Sequence, residues 1–373
     1  MSNFTSRPVL RWAVPAAAAV AVVGAGVAAK TLAVAAEPDL PPRTAAQLLV
    51  DLQTARLDGL SGTVVERADL GLPAIPLLTG DQSAKLSSLV AGKHTLRVWY
   101  SGPDKARVSL LGTQGQSDII HNGNDTWIWD SQAKEAQHFT GSPGDGDKPG
   151  ARPTPTDLPT SPQEAADLAL KAIDPTTQVT IGNSAKIAGR NAYELVLRPR
   201  DTASLVGEVR LAVDAQEKLP LRVQVLPRGT ANPAFEVAFT QVSFTRPDNA
   251  EFAFNPPAGT KVTEGNGAAK AAQEQQEQQH AGATGEKPKT AVVGTGWTSV
   301  LVLRTSGAGA DANADDTKKV QDAIGQLPTG NGGRTFNSKL VSVLFTDDGR
   351  VLIGSVTPEK LTQVAADPAA QLK

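Results

Sequence analysis

The sequence contains no cysteine, and this absence excludes several kinds of site at once. Disulfide bonds, thiolate metal sites and cysteine nucleophiles are impossible, and so is attachment of a lipid to an N-terminal cysteine. Aromatic residues are few, at 4% of 373 residues, and the net charge is only −2 at pH 7. A charge so close to zero gives no indication of a nucleic-acid partner. The hydrophobic content of 40% is typical of a soluble globular protein, and the length suits two domains.

Sequence patterns for catalysis or metal binding are missing as well. The chain has no His-Glu-x-x-His, Walker or Gly-x-Ser-x-Gly pattern. Three of its four histidines, His94, His121 and His138, fall in or beside predicted strands, where an exposed sheet position is the ordinary interpretation. Asp347 and Asp348 are interpreted as turn formers rather than catalytic carboxylates. The sequence therefore predicts neither an enzyme nor a bound metal or cofactor.

The N-terminal segment has the organisation of an export signal. Arg7 and Arg11 precede an uncharged run over residues 13–29, and Ala33-Val34-Ala35 satisfies the Ala-x-Ala pattern for cleavage. The alternative is an uncleaved anchor: a helix over the uncharged run would extend roughly 26 Å, slightly less than a hydrocarbon core of about 30 Å. Both alternatives place the remainder outside the cytoplasm, because the arginines stay inside. Residues 1–36 are therefore predicted to be a signal peptide or an N-terminal membrane anchor.

A meander of short strands is predicted between residues 94 and 139. Side chains alternate through residues 95–100, and again through 126–130, where Trp127 and Trp129 share one face. Asn122-Gly123 separates two such runs and favours a type I′ hairpin, in which both central residues have φ > 0. The predicted sheet has a large apolar area that other parts of the chain must cover.

Two helices could supply this cover. The first is predicted over residues 43–58, with Gly59 as its C-terminal cap. Its apolar stripe consists of Ala45, Leu48, Leu49, Leu52 and Ala55. The second helix begins at the capping box of residues 161–164, after a flexible loop, and ends before Asp174-Pro175. A Pro- and Gly-rich insertion at residues 73–92 could contain a further short helix.

A second series of strands follows between residues 187 and 254. Apolar and polar side chains alternate there as in an antiparallel sheet with one solvated face. The apolar phase changes between Phe239 and Phe244, which indicates a bulge or strong bend. The predicted fold class is α+β, with a strongly curved antiparallel sheet covered by helices.

Three segments, in this order, resemble the LolA-like family of bacterial lipoprotein and lipid carriers. They are Leu-Asp-Gly-Leu-Ser-Gly at residues 57–62, the strand-turn-strand of residues 119–130, and Phe-Ala-Phe-Asn-Pro-Pro-Ala-Gly at residues 252–259. The resemblance covers residues 43–262, and the family includes RseB-type envelope sensors. It implies a half-open barrel with a helical lid over an apolar cavity. The chain departs from the family in its longer insertion at residues 73–92 and in lacking the cysteine of lipid-anchored relatives.

The strand alternation and this resemblance together predict a cavity that binds an apolar ligand. Leu48 and Leu52 are expected to face it from the first helix. The expected strand residues are Leu96, Val98, Tyr100, Trp127, Trp129, Tyr193, Leu195, Val209, Leu211, Val223, Phe235 and Val237. For the two tryptophans, ordinary core filling is the alternative interpretation.

The C-terminal part is predicted to be a separate small domain. Residues 263–289 are low in complexity and are interpreted as a flexible linker. Residues 290–373 are predicted to form a β-α-β-β-α unit, which could fold alone or dock on the first domain. Its predicted elements are strands at 297–303, 340–345 and 351–356, a helix at 315–327, and a last helix that begins after Thr357.

Two functions are consistent with these observations. The favoured hypothesis is an extracytoplasmic carrier or sensor that shelters a lipid or an acylated protein, with the first helix and residues 86–90 as a lid. Its C-terminal domain would then contact a membrane transporter or regulator. The alternative is an envelope regulatory protein that acts through protein–protein contact with a membrane partner, without lipid transport.

Overall fold

The computed structural model describes residues 38–71, 91–113, 115–140, 175–264, 289–304, 322, 324–330 and 332–372. Five of the predicted features lie outside these residues: the export segment 1–36, the insertion at 73–90 with its lid residues, the loop and helix at 141–173, the linker at 265–288, and most of the helix at 315–327. None of the helices in the described ranges combines the length and apolar character that crossing a membrane requires.

The first helix, α1 (Ala45–Thr54), is shorter than the predicted 43–58. Thr44 and Gln47 form a capping box at its start. Ala55 has an extended conformation with ψ of 133° and ends the helix, so Gly59 is not its cap. A Cβ atom on Gly59 would lie 2.3 Å from the Cα atom of Arg246. The glycine is therefore required by the close approach of two backbone segments.

A 13-stranded sheet forms the larger part of the protein. Its strands are β1 (Leu60–Ala68), β2 (Gly92–Tyr100), β3 (Lys105–Leu111), β4 (Gln116–Asn122), β5 (Asp125–Asp130), β6 (Glu135–Thr140), β7 (Thr177–Ile181), β8 (Ala185–Ile187), β9 (Arg190–Pro199), β10 (Val206–Asp214), β11 (Pro220–Pro227), β12 (Phe235–Ser243) and β13 (Lys261–Glu264). The strand order is β13-β6-β5-β4-β3-β2-β1-β12-β11-β10-β9-β7, with β8 also paired to β9. All pairs are antiparallel except β13 with β6.

The large sheet is strongly curved, as predicted. Cα atoms of β8 and β12 approach within 8 Å, although β9, β10 and β11 lie between them in the strand order. In a flat sheet, with strands about 4.8 Å apart, this separation would be roughly 19 Å. The mostly-β α+β class expected from the sequence is confirmed.

The hairpin between β4 and β5 differs in detail from the prediction. Asn122 pairs with Asp125, so the two-residue loop is Gly123-Asn124. Gly123 has a φ of 64°, whereas Asn124 has no positive φ. Glycine at the first central position is the requirement of a type II′ turn, and the predicted type I′ turn at Asn122-Gly123 is wrong.

The predicted irregularity in β12 is confirmed. Thr63 of β1 pairs with Gln241, whereas the next residue, Val64, pairs with Phe239. Thr240 is therefore the extra residue of a bulge. This bulge explains the change of apolar phase along residues 239–244.

A second, six-stranded sheet forms the C-terminal unit. Its strands are β14 (Lys289–Val293), β15 (Val300–Arg304), β16 (Thr329–Gly330), β17 (Gly333–Asn337), β18 (Ser342–Thr346) and β19 (Arg350–Gly354). Helix α2 (Pro358–Ala365), with Thr357 as N-cap, packs Leu361 and Val364 on one face of this sheet. Strands β14, β16 and β17 are additions to the predicted β-α-β-β-α order, and β7 and β13 are additions to the first unit.

The C-terminal unit docks on the large sheet. Ser204 and Val356 form an antiparallel β-bridge between the two units, and the amide of Thr357 donates a hydrogen bond of 2.9 Å to the carbonyl of Ala203. The indole Nε1 of Trp297 donates to Thr177 Oγ1 at 2.7 Å. Of the two arrangements left open by the sequence, the structure therefore shows docking.

Candidate functional site

The predicted cavity residues can be located by following cross-strand pairs away from α1. Tyr193 and Leu195 of β9 are buried against Leu48 and Leu49 of α1. From Leu195, directly paired residues run across six strands: Leu195, Leu211, Val223, Val237, Glu66 and His94. Directly paired residues of antiparallel strands present their side chains on the same face. We call this side of the large sheet the helix face.

Most of the predicted ligand-binding residues share the helix face. Leu48 packs on it from α1, and Leu52 is partly buried in the same cluster. By pairing and alternation, the strand residues on this face are Leu96, Val98, Tyr100, Tyr193, Leu195, Val209, Leu211, Val223, Phe235 and Val237. These ten strand residues therefore lie on one face of the sheet.

Trp127 and Trp129 lie on the opposite face, which we call the far face. Val98 is aligned through β3 and β4 with Ile128, not with either tryptophan. Trp127 stacks on His138 with ring centroids 4.0 Å apart, and both tryptophans contact Phe254. The prediction that the tryptophans share a face with Val98 is therefore wrong. Residues 127–129 are all apolar, so alternation alone could not decide which of them lies on the helix face.

Two parts of the described chain cover the helix face. Helix α1 covers Tyr193 and Leu195, and the hydroxyl of Tyr193 donates a hydrogen bond of 2.8 Å to the carbonyl of Pro41. The C-terminal unit covers the strand ends, where Val209 and Phe235 pack in a cluster that contains Leu340. Between these two covers, Val64, Val98, Val223 and Val237 belong to one buried cluster, which also contains Ile187 of β8.

Glu66 is the acidic residue of this middle region, and it is 4% exposed. Neither carboxyl oxygen has a hydrogen-bond partner among the described residues. It lies opposite Val237 on one side and His94 on the other, and the His94 ring bonds to the carbonyl of Ala91 through Nε2 at 2.8 Å. Burial raises the pKa of the Glu66 carboxyl to about 7. A neutral carboxyl group is therefore available on an apolar surface near neutral pH.

Sequence reasoning missed Glu66, although a signal was present. Along β1, positions 60, 62, 64 and 68 on the helix face are Leu, Gly, Val and Ala, and only position 66 is charged. Lys, Glu, Arg and Asp are almost never fully buried unless they are paired. A single carboxylate in an otherwise apolar set is thus a feature that strand alternation can reveal.

The far face of β9, β10 and β11 carries a polar cleft of about 380 Å³. Its lining includes Glu194, Arg198, Arg210 and Arg222. Arg222 pairs with Glu194 at 2.8 Å, and Glu208 lies between the other two arginines at 2.6 Å and 2.5 Å. Each of the three arginines is thus paired with a glutamate within the sheet, which leaves one net positive charge in the cleft.

The histidines do not assemble a metal site in the described part of the chain. No group of three or more His, Asp or Glu residues with suitable geometry occurs there. His138 lies between Asp125, at 2.9 Å, and Glu264, at 3.1 Å. This contact ties β13 to β6 at the edge of the large sheet.

The matches to known proteins are all solved structures. No protein-family model and no curated protein sequence matches the chain. The complex of MucA and MucB from Pseudomonas aeruginosa matches with 16% identity and a TM-score of 0.39, over 86% of this chain and 96% of the other. A LolA superfamily protein from Nitrosomonas europaea matches with 12% identity and a TM-score of 0.23, over 57% and 99% of the two chains.

An uncharacterized conserved protein from Thermus thermophilus is also similar, with 11% identity and a TM-score of 0.34, over 58% of this chain and 97% of the other.

Proposed function

We propose that this protein is an exported carrier or sensor that binds an apolar chain, such as the acyl chain of a lipid or lipoprotein, on the helix face. The observation that carries the proposal is the placement of ten predicted strand residues on that one face, partly beneath the ten-residue helix α1. The export segment supports a location outside the cytoplasm.

The mechanism we propose is displacement of α1 by the ligand. The hydrogen bonds and ion pair of α1, including that of Arg43 with Asp51, lie mostly within the helix and its caps. Its contact with the sheet consists mainly of apolar side chains around Leu48 and Leu49. An acyl chain gains about 0.8 kcal/mol for each buried CH₂ group. A chain of moderate length can therefore replace the apolar area that α1 covers.

Native mass spectrometry of gently purified protein tests this proposal. The expected result is co-purifying lipid, and a delipidated sample should bind the apolar fluorophore N-phenyl-1-naphthylamine with saturable fluorescence enhancement. A protein that carries no lipid and gives no saturable enhancement at any pH would show that the helix face is simply a packed core.

A protein-binding regulator is the second candidate, and one observation favours it. Val292 of β14 and Leu301 of β15 are directly paired on the C-terminal unit and are 52% and 37% exposed. Paired exposed apolar side chains are suited to a protein contact. Capture of one membrane protein by the wild type, and its loss in a Val292→Ser, Leu301→Ser variant, would favour this function over lipid carriage.

A further inference from the structure

The buried carboxyl group of Glu66 is unused by the binding of a purely apolar chain. Burying a polar group without a hydrogen bond is unfavourable, and isolated buried charges are more unfavourable still. Yet both oxygens of Glu66 lack partners within the described part of the chain, although the side chain is almost completely buried. A group of this kind is explained if a ligand supplies the missing hydrogen bonds.

The surroundings of Glu66 define what such a ligand must offer. Val64 and Ala68 are buried neighbours on the same face of β1, and Val237 is the direct partner on β12. His94 is the titratable residue that faces Glu66 from β2. Among the charges of the two covers, Arg43 of α1 pairs with Asp51, and Lys339 of the C-terminal unit pairs with Asp69.

Resting on the proposed function, we propose that Glu66 recognises the polar end of an acyl lipid, whose ester and hydroxyl groups pair with its neutral carboxyl group. A protonated carboxyl group has one O–H donor and a carbonyl acceptor. The donor suits an ester carbonyl, and the acceptor suits a glycerol-type hydroxyl. The hydrocarbon part of the same molecule then runs across Val237, Val223 and Leu211 toward Leu195, which α1 covers.

This assignment selects a class of ligand. A lipid whose first polar group is an uncharged ester satisfies Glu66 without burying a second charge, whereas a plain alkane leaves the carboxyl group unpaired. Since the folded-state pKa of Glu66 lies at about 7, the neutral form dominates at pH 6 and is scarce at pH 8.5. Binding of the ester lipid should therefore weaken as the pH rises through this interval.

The test is displacement of bound N-phenyl-1-naphthylamine by two competitors, 1-monooleoylglycerol and 1-octadecene, at pH 6 and pH 8.5. Wild-type protein should require about tenfold more monooleoylglycerol at pH 8.5 than at pH 6, which is the size of effect expected when one hydrogen-bonded pair is lost. Glu66→Gln, which keeps a neutral donor and acceptor, should bind the ester lipid equally well at both pH values. Glu66→Leu should weaken monooleoylglycerol binding about tenfold at pH 6 and should bind octadecene at least as tightly as wild type, because the unpaired buried carboxyl group is removed.

The contrary outcomes are distinct. If monooleoylglycerol displaces the fluorophore equally well from Glu66→Leu and from wild type, the role of Glu66 is overturned. The carrier function then stands, because both proteins still bind the fluorophore. If the pH effect persists in Glu66→Gln, which retains His94, the effect arises elsewhere and the assignment is again overturned. If wild type binds neither the fluorophore nor either competitor, the carrier function itself fails, and the role of Glu66 fails with it.

Discussion

Val98 and Trp127 lie on opposite faces of the same sheet. Val98 is fully buried on the helix face, while Trp127 stacks on His138 on the far face. Two strands, β3 and β4, separate their own strands, and the register across them sets which side chains point in the same direction. The proposed binding surface therefore includes Val98 and excludes both tryptophans of β5.

This arrangement predicts effects of different size for two substitutions. Val98→Phe adds bulk to the helix face and should weaken N-phenyl-1-naphthylamine binding about tenfold, within the roughly 1–3 kcal/mol range of overpacking effects. Trp127→Ala removes a larger side chain from the far face and should change binding less than about twofold. Fluorescence titration measures both affinities, and circular dichroism confirms that each variant is folded. Weaker binding in Trp127→Ala alone would contradict the assigned faces.

The lid role of α1 can be tested through its N-cap. Thr44→Ala removes the side-chain oxygen that accepts from the Gln47 amide, which should destabilise α1 by about 1 kcal/mol. If α1 competes with the ligand, the fluorophore should associate faster with the variant. Thr357→Ala is the matched control, because Thr357 caps α2 on the C-terminal unit. Stopped-flow fluorescence compares the rates; an equal acceleration in both variants would rule out a specific lid.

Glu66 should make the stability of the protein depend on pH. Its pKa is raised by burial from 4.5 to about 7, so the folded state retains a proton that the unfolded state loses within this window. The free energy of unfolding should therefore fall by roughly 3 kcal/mol as the pH rises from 4.5 to 7. At pH values well above 7, Glu66 should add no further pH dependence. Glu66→Gln should flatten this part of the profile, as urea denaturation can measure.

Glu135→Gln is a suitable control for that experiment. Glu135 pairs with Lys261 at 3.0 Å, but its side chain is more than half exposed. Exposed ion pairs contribute little to stability, so this variant should keep the wild-type profile. An unchanged profile in Glu66→Gln would mean that Glu66 keeps the same protonation in the folded and unfolded states.

His138 should hold β13 more firmly at low pH. Partial burial lowers the pKa of His138. The hydrogen bonds to Asp125 and Glu264 and the negative charges of these residues raise the pKa by more than burial lowers it, so the net shift is upward. The stabilising charge is then fully present below the unfolded-state pKa and is lost as pH rises through the folded-state pKa. NMR titration of the imidazole should give a pKa above 6.5, and Glu264→Gln should lower it. A pKa at or below the ordinary value in the wild type would contradict the contact.

Trp297 should contribute to docking of the C-terminal unit through its hydrogen bond to Thr177. Trp297→Phe keeps most of the apolar contact and removes the donor, so the loss should be about 1 kcal/mol. Calorimetry should show a lower unfolding temperature for the coupled transition. Trp99→Phe is the comparison, because Trp99 lies on β2 beside Arg97 and Arg107, away from the interface. Equal effects in both variants would argue against a specific docking bond.

The sequence determined the local features of this protein because those features depend on neighbouring residues. The phase change predicted along residues 239–244 marked a real bulge in β12. The alternation of β9 to β12 grouped the apolar residues of the helix face, since successive side chains of a strand point to opposite sides. Short strands with little alternation, such as β17, carried no such signal.

Contacts between distant segments were decided by the tertiary structure alone. The side chains of β5 that lie on the helix face are set by the pairing through β3 and β4. The apolar sequence of residues 127–129 is compatible with either face. Gly59 serves the approach of residue 246 rather than the end of α1, and such an approach has no local sequence signature. Glu66 is the one charged residue among the apolar alternate positions of β1, but only its burial in the folded protein raises the pKa of its carboxyl group, because desolvation disfavours the charged form.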